Sequence, residues 1–197
     1  VTLEDVVAHI EQLRDDRPRT VVAVSGFAGS GKSTLAKALA STIPSCLRLR
    51  GDDFLDPVRS HRRSYDWDGV ERARMRKEVL DPYRLGQPVR FRPLDWTTRA
   101  LAPATALPDV AVLVVDAIGV LHPDLDGCFD LTVWVDVELE TAGARGRRRD
   151  LDGGHDHERL WTEVWQRNDA DFADRFDPRG EADVLYVPDD VAARGMP

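Results

Sequence analysis

The chain has 197 residues, of which 42% are hydrophobic and 31% charged, and carries a formal net charge of −8. That length suits one α/β domain burying ~70% of its unfolded surface, and the acidic balance argues against a general nucleic-acid or membrane-surface binder. Cys46 and Cys128 have no metal-ligand spacing and build no disulfide framework, so a reducing cytoplasm is the expected location. No apolar run nears the ~18 residues of a membrane span, no signal-peptide pattern opens the chain, and no repeat or linker divides it.

In chain order, residues 2–15 read as a helix, with Thr2 as N-cap, Asp5 three residues on, and Val6, Ile10 and Leu13 at helical spacing. Arg17-Pro18-Arg19 stops it. Val21 to Val24 then form a buried strand that runs into a glycine-rich turn, after which Leu35, Ala38 and Leu39 recur on one helix face. Cys46 to Arg50 predicts a second strand, and 68–80 an amphipathic helix that Pro82, Gly86 and Pro88 break. Val89 to Trp96 alternates weakly, as in a hairpin, and Pro103 and Pro108 bracket a loop. Val110 to Val115 and Leu131 to Val135 are continuous apolar runs, the pattern of strands covered on both faces. An arginine-rich helix follows through Arg149, then helical patches at 157–167 and 169–175, and a last strand from Val184 to Val187. Strands alternating with helices predict a parallel sheet whose ligands bind at the carboxyl ends of the strands.

The glycine-rich turn is Gly26-Phe27-Ala28-Gly29-Ser30-Gly31-Lys32-Ser33-Thr34, the Gly-x-x-x-x-Gly-Lys-Ser/Thr (Walker A) pattern between a strand and a helix. Its glycines let backbone N–H groups curl onto phosphate oxygens, and the helix start favours the same anion. Lys32, one of only three lysines, supplies a point charge for the β- and γ-phosphates, and the Ser33 hydroxyl can ligate Mg²⁺. Asp116 ends an apolar strand, the position of an acid that holds Mg²⁺ directly or through water. Asp52 and Asp53 end the preceding strand, and either can accept a proton from an attacking hydroxyl. Arg145 and Arg149 lie four apart on one helix face and, with Arg147 and Arg148, can close over a transferring phosphate. His155 and His157 read as solvated lid residues, Trp161 and Trp165 as one core-facing stripe.

Val24-Ser25-Gly26-x-x-x-Ser30-Gly31-Lys32-Ser33-Thr34, followed by Gly51-Asp52-x-Phe54, resembles the phosphoribulokinase/uridine kinase family of P-loop kinases. Asp52-Asp53-Phe54-Leu55-Asp56-Pro57 is also similar to the Asp-x-Phe-Leu-x-Pro of bacterial pantothenate kinases. The resemblance to uridine kinases extends over most of 20–187. It implies a P-loop NTPase three-layer sandwich, mostly parallel sheet with helices on both faces, in a single domain over 1–197. A helical lid at about 145–160 and a substrate-side excursion with a small hairpin at about 56–108 complete that expectation. It also implies ATP and Mg²⁺ as cofactors, Asp52 rather than Asp53 as catalytic base, and Asp66 of Tyr65-Asp66 as the acid that binds ribose hydroxyls. Leu94-Asp95-Trp96 resembles the Tyr-Asp-Phe of the substrate hairpin, Asp116-Ala117-Ile118 the Glu-Gly-Ile, Thr141 to Asp150 the lid helix, and Ala182-Asp183-Val184 the opening of the last strand.

There are departures. Leu94 and Arg99 stand where uridine kinases carry the tyrosine and histidine that hold the pyrimidine, and Leu55 replaces the tyrosine after Asp-x-Phe. The second lid arginine falls on Gly146, and a later one has no counterpart near Gly153-Gly154. The resemblance therefore implies transfer of the ATP γ-phosphoryl to a hydroxyl of a small molecule. That acceptor is nucleoside-like, held by Asp66, Trp96 and Arg99, or alternatively a non-nucleoside alcohol such as a pantothenate-like or sugar acceptor. Neither nucleic acid nor membrane is an expected partner, and a homo-oligomer is left open. A switch GTPase needs Asn-Lys-x-Asp, and the chain's only asparagine is Asn168, followed by Asp169. A non-catalytic binding module is disfavoured by the intact Lys32, Ser33, Asp52 and Asp116.

Overall fold

The computed structural model describes residues 1–189. Its central sheet is built from the most apolar stretches: β1 (Thr20–Ser25), β2 (Cys46–Arg50), β7 (Val112–Asp116), β8 (Leu131–Val135) and β9 (Val184–Tyr186). The order is β2-β7-β1-β8-β9, and every pairing is parallel. Val24 pairs with Asp116 and Arg50 also pairs with Asp116, so the carboxyl ends of three neighbouring strands come level at one edge.

Alternation within β1 explains the layers. Val22 and Val24 face helices α1 (Leu3–Asp16) and α2 (Lys32–Thr42) through Val6, Ile10, Leu35 and Leu39. Val21 and Ala23 face the opposite way, onto Met75, Val79, Leu80 and Tyr83 of α3, a continuous helix over 72–84. Both faces are therefore covered, which is why these strands read as unbroken apolar runs. Thr2 and Asp5 form the expected capping box on α1. Two further helices, α4 (Leu139–Asp152) and α5 (158–176), stand beyond the strand ends. A third apolar cluster of Leu55, Trp67, Val70, Leu94 and Phe172 packs the segments around 55–70 and 94 against α5.

Several boundaries differ from the sequence expectation. Residues 69–71 pair in extended form, Asp56 N–H donating to Gly69 O and Glu71 N–H to Phe54 O, both at 2.8 Å. The helix therefore begins at 72 and runs through Pro82 to Arg84. A π-helical stretch, Arg76–Leu80, widens the coil just before the proline and relieves the clash its ring would make with the preceding turn. Residues 158–176 form one helix where the sequence predicts two patches, and Asn168 between them engages its side chain outside the helix. Its amide donates to Arg62 O at 2.8 Å and accepts from Ser64 N–H at 3.0 Å, so it does not compete for the helix backbone. The segment around 89–106 is a two-stage hairpin: β3 (Arg90–Phe91) pairs with β6 (Thr105–Ala106) and β4 (Leu94–Asp95) with β5 (Ala100–Leu101). The stretch between Pro103 and Pro108 is thus partly strand. Among the described residues no helix is long and apolar enough to cross a membrane.

The start of β1 is anchored by Asp130, whose side chain is only 3% exposed. Its carboxylate accepts from Val21 N–H at 2.8 Å, from Arg84 Nη2 at 2.6 Å and from Arg17. Removing one partner from a buried charge cluster leaves the rest uncompensated, typically at ~3–5 kcal/mol. Asp130→Ala is therefore expected to lower unfolding free energy by about 3 kcal/mol without weakening nucleotide binding, as read by urea denaturation and ATP titration.

Candidate active site

β1 ends at Ser25, and the turn that follows holds Gly26, Gly29 and Gly31 at φ of +151°, +85° and +105°. Such angles strain any residue with a Cβ. Gly29 has a second reason: a Cβ there would lie 2.1 Å from Ala142 O of α4. Gly31 caps α2 and contributes no side-chain hydrogen bond, so the N–H groups that open the helix point outward for an anion. Lys32 is 8% exposed and folded back on the loop, its Nζ donating to Gly26 O at 3.0 Å and Phe27 O at 2.8 Å. Burial pushes its ammonium below the ordinary value, and the Asp169, Asp52 and Asp116 carboxylates oppose that shift. The Ser30 hydroxyl is buried without a hydrogen-bond partner. A phosphate oxygen would satisfy it, so the loop fits a polyphosphate.

The loop forms one wall of a cavity of about 1510 Å³ lined from Ala28 to Leu35. Gly26 and Phe27 stand behind that wall, offering their carbonyls to Lys32; they support the loop rather than face the cavity. Phe27 packs its ring edge-on to Trp134 at 5.1 Å.

Asp116 and Ser33 meet across the end of β7, Ser33 Oγ donating to Asp116 Oδ2 at 2.7 Å. Hard oxygen donors on a single carboxylate and a hydroxyl, completed by phosphates and water, are what Mg²⁺ takes, so the pair fits that ion. Arg48 adds a bidentate pair to the same carboxylate, with Nε 2.6 Å from Oδ1 and Nη2 2.8 Å from Oδ2.

Asp52 lies in the 3₁₀ turn Gly51–Phe54 after β2, on the cavity wall with 61% of its side chain exposed. Gly51 lets this turn abut β7; a Cβ there would sit 2.2 Å from Ala117 Cβ. Asp53 lies off the wall, half-buried, and burial pushes its carboxyl up. Only one of the two adjacent acids therefore faces the cavity.

Arg145 and Arg149, one turn apart on α4, line the cavity opposite the loop. Arg147 turns towards Gln166 and Glu158 instead, and Arg148 pairs with Asp152 in solvent. Gly146 cannot carry an arginine, because a Cβ there would lie 2.1 Å from the Trp161 ring. Asp150 gathers the far end: its Oδ2 accepts from Trp161 Nε1 at 2.9 Å and meets His157 Nδ1 at 3.2 Å, while Oδ1 meets Arg149. His157, read from sequence as solvated, is thus tied down, edge-on to Trp165 at 5.6 Å and stacked on His155 at 5.6 Å.

Trp96 and Arg99 also reach the cavity. Trp96 stands edge-on to His61 at 6.0 Å, and Arg99 donates to Pro57 O at 2.6 Å. Trp165, 5.8 Å from His61, donates through Nε1 to Ser60 O at 3.0 Å, closing an aromatic wall. Asp66 corrects the sequence expectation, for it does not line the cavity. Trp67 adopts φ +52° and takes the inward position, leaving Asp66 to accept from Ser64 Oγ at 2.8 Å.

Sequence reasoning did not find Asp169. It is 4% exposed, accepts from Ala28 N–H of the phosphate loop at 2.7 Å and from Trp67 Nε1 at 3.0 Å, and so joins the loop to the aromatic wall. Arg48 was also missed. The one available signal was its charge within a strand of an otherwise apolar sheet.

Solved structures share this architecture. A candidate fructose transport system kinase from Silicibacter sp. matches with a TM-score of 0.74 and 20% identity, over 94% of this chain and 98% of that one. A candidate uridine kinase from Bacillus stearothermophilus matches at 0.67 and 14% identity, over 92% and 99%. A candidate P-loop-containing kinase with a circular permutation from Saccharomyces cerevisiae matches at 0.69 and 11% identity, over 96% and 100%. The chain shares their P-loop fold. No protein-family model matches it.

Burial raises the Asp169 carboxyl from 3.8 to about 6, against the pull of Lys32, Ala28 N–H and Trp67. The native state therefore retains a proton that the unfolded chain releases between those values, so this group destabilises the fold as pH rises through about 4 to 6. Asp169→Asn removes the titration. Its stability relative to wild type should improve by up to about 3 kcal/mol between pH 4 and 7 in urea melts, whereas a pH-independent difference would contradict the assignment.

Proposed function

We propose that the protein is an ATP- and Mg²⁺-dependent kinase that transfers the γ-phosphoryl to a hydroxyl of a small molecule. The observation that carries this reading is that one cavity brings Lys32, Asp52, Ser33–Asp116 and the Arg145/Arg149 pair to a single space at the strand ends.

In the reaction the acceptor oxygen forms a bond to the γ-phosphorus as the bond to the β-bridging oxygen breaks, and ADP leaves. Asp52 accepts the hydroxyl proton; its exposure and its distance of 3.9 Å from Arg50 leave an oxygen available for that contact. Lys32 exchanges the Gly26 and Phe27 carbonyls for phosphate oxygens, while loop amides and the Ser30 hydroxyl hold the β-phosphate. Arg145 and Arg149 stabilise charge on the transferring group. Ser33 and Asp116 would hold Mg²⁺, which when bound neutralises charge on the β- and γ-oxygens.

Trp96, His61 and Trp165 support an acceptor that presents a flat or ring-shaped face. A nucleoside-like alcohol is one such acceptor. A sugar acceptor is the second reading, favoured because Asp66, the acid that the family resemblance assigns to ribose hydroxyls, stands off the cavity. The Silicibacter neighbour, described as a candidate fructose transport system kinase, supports the same alternative.

The test is a panel of nucleosides, sugars and pantothenate-like alcohols, reading ADP release and product mass. Asp52→Asn should leave ATP affinity within about threefold and lower transfer ~10²–10⁴-fold. Near-normal turnover in that variant would remove Asp52 from the role, and ATP binding without transfer to any acceptor would favour a non-catalytic module.

A further inference from the structure

We propose that Arg48 is a built-in competitor for the cation-binding carboxylate, keeping divalent metal off Asp116 until a nucleotide brings it. This rests on the reading of Ser33 and Asp116 as the Mg²⁺ ligands.

Asp116 is 4% exposed on its side chain and Arg48 17%, so the pair is shielded from solvent. Both carboxylate oxygens are committed: Oδ1 to Arg48 Nε, Oδ2 to Arg48 Nη2 and Ser33 Oγ. The planar guanidinium thus occupies the coordinating edge that a small dication would use, with a fixed charge where the metal's charge would stand. The strand register makes this possible. Arg48 pairs with Val114, two residues before Asp116 on the same face of β7, and its long side chain spans that offset along the sheet.

A free cation therefore meets a carboxylate already neutralised by a resident charge. A cation carried on a triphosphate meets a different balance, because the phosphate oxygens add several negative charges beside Lys32 and Ser33. Metal entry then depends on nucleotide, and the empty enzyme is spared unproductive cation binding. A purely structural Arg48, one that merely holds Asp116 in place, makes the opposite prediction: its loss would disorder the carboxylate and weaken metal.

The test is Mn²⁺ binding to the nucleotide-free full chain, read from the free-Mn²⁺ electron paramagnetic resonance signal at pH 7. Arg48→Met should tighten Mn²⁺ at least about tenfold over wild type. Arg48→Lys, a point charge that cannot form the bidentate pair, should fall between the two and serves if the methionine variant folds poorly. Arg48→Met combined with Asp116→Asn should return to wild-type weakness. Unchanged or weaker Mn²⁺ affinity in both single variants, with Mn²⁺-ATP still bound, overturns the role of Arg48 and leaves the kinase reading standing. Absence of ATP-dependent Mn²⁺ binding in the wild-type protein overturns the metal assignment itself, and the inference with it.

Discussion

The approach of Gly29 to the Ala142 carbonyl sets the spacing between the phosphate loop and the helix that bears Arg145 and Arg149. A Cβ at Gly29 would lie 2.1 Å from that carbonyl oxygen and 2.9 Å from Gly146 N, so backbone meets backbone there. The contact continues outward in the same manner, since bare Gly146 admits the ring of Trp161 from α5. It then returns, because Asp169 of α5 accepts from Ala28 N–H in the loop. Loop, α4 and α5 thus form a closed circuit of three close contacts. Cores packed to crystal-like density move between discrete arrangements rather than deforming smoothly. The α4 backbone that carries the arginines therefore cannot shift relative to the loop without disturbing the loop itself.

The circuit encloses charge that is only partly compensated. Lys32 is buried on two carbonyls, Asp169 is buried on one amide and one indole N–H, and the Ser30 hydroxyl has no partner. Burial moves Lys32 down and Asp169 up, each towards its neutral form. A polyanion in the loop would oppose the first shift and add to the second. The site is thus arranged so that the ligand, rather than the protein, completes its hydrogen bonds and charge balance.

The sequence carries the sheet and the loop plainly because each has a local cause. Strands covered on both faces must be apolar throughout, as at Val112 to Val115, and a turn that cradles phosphate must have glycines at fixed offsets. Asp116 is legible for the same reason, being an acid at the end of such a strand, whereas strand-end position leaves Asp52 and Asp53 equal and only the family resemblance chooses Asp52. What stays hidden depends on conformations or contacts that spacing does not encode. Trp67, at positive φ, lines the cavity where Asp66 does not, and spacing gives no sign of that backbone conformation. Asp169 cannot be told from Asp171 or Asp174 by residue type; only packing buries the first. Arg48 reaches its partner diagonally across two strands, an offset that appears only once the register is known. A π-helical turn carries α3 through a proline that otherwise ends helices.

The acceptor wall follows the same logic of assembly from distant segments. Its parts come from 55–61, 96–99 and 155–165, joined where Arg99 donates to Pro57 O and Trp165 to Ser60 O. Aromatic faces select by shape and area, a modest source of discrimination, whereas buried groups that demand a hydrogen bond reject their wrong partners far more strongly. Leu55 on the cavity wall makes no such demand, and Asp66, which accepts from Ser64 Oγ, is not on that wall. Polar groups on this part of the cavity include Asp52, Ser60, His61, Arg99 and His157. Under the proposed kinase reading, selectivity in this cavity would rest on where an acceptor carries its hydroxyl more than on the pattern of its ring.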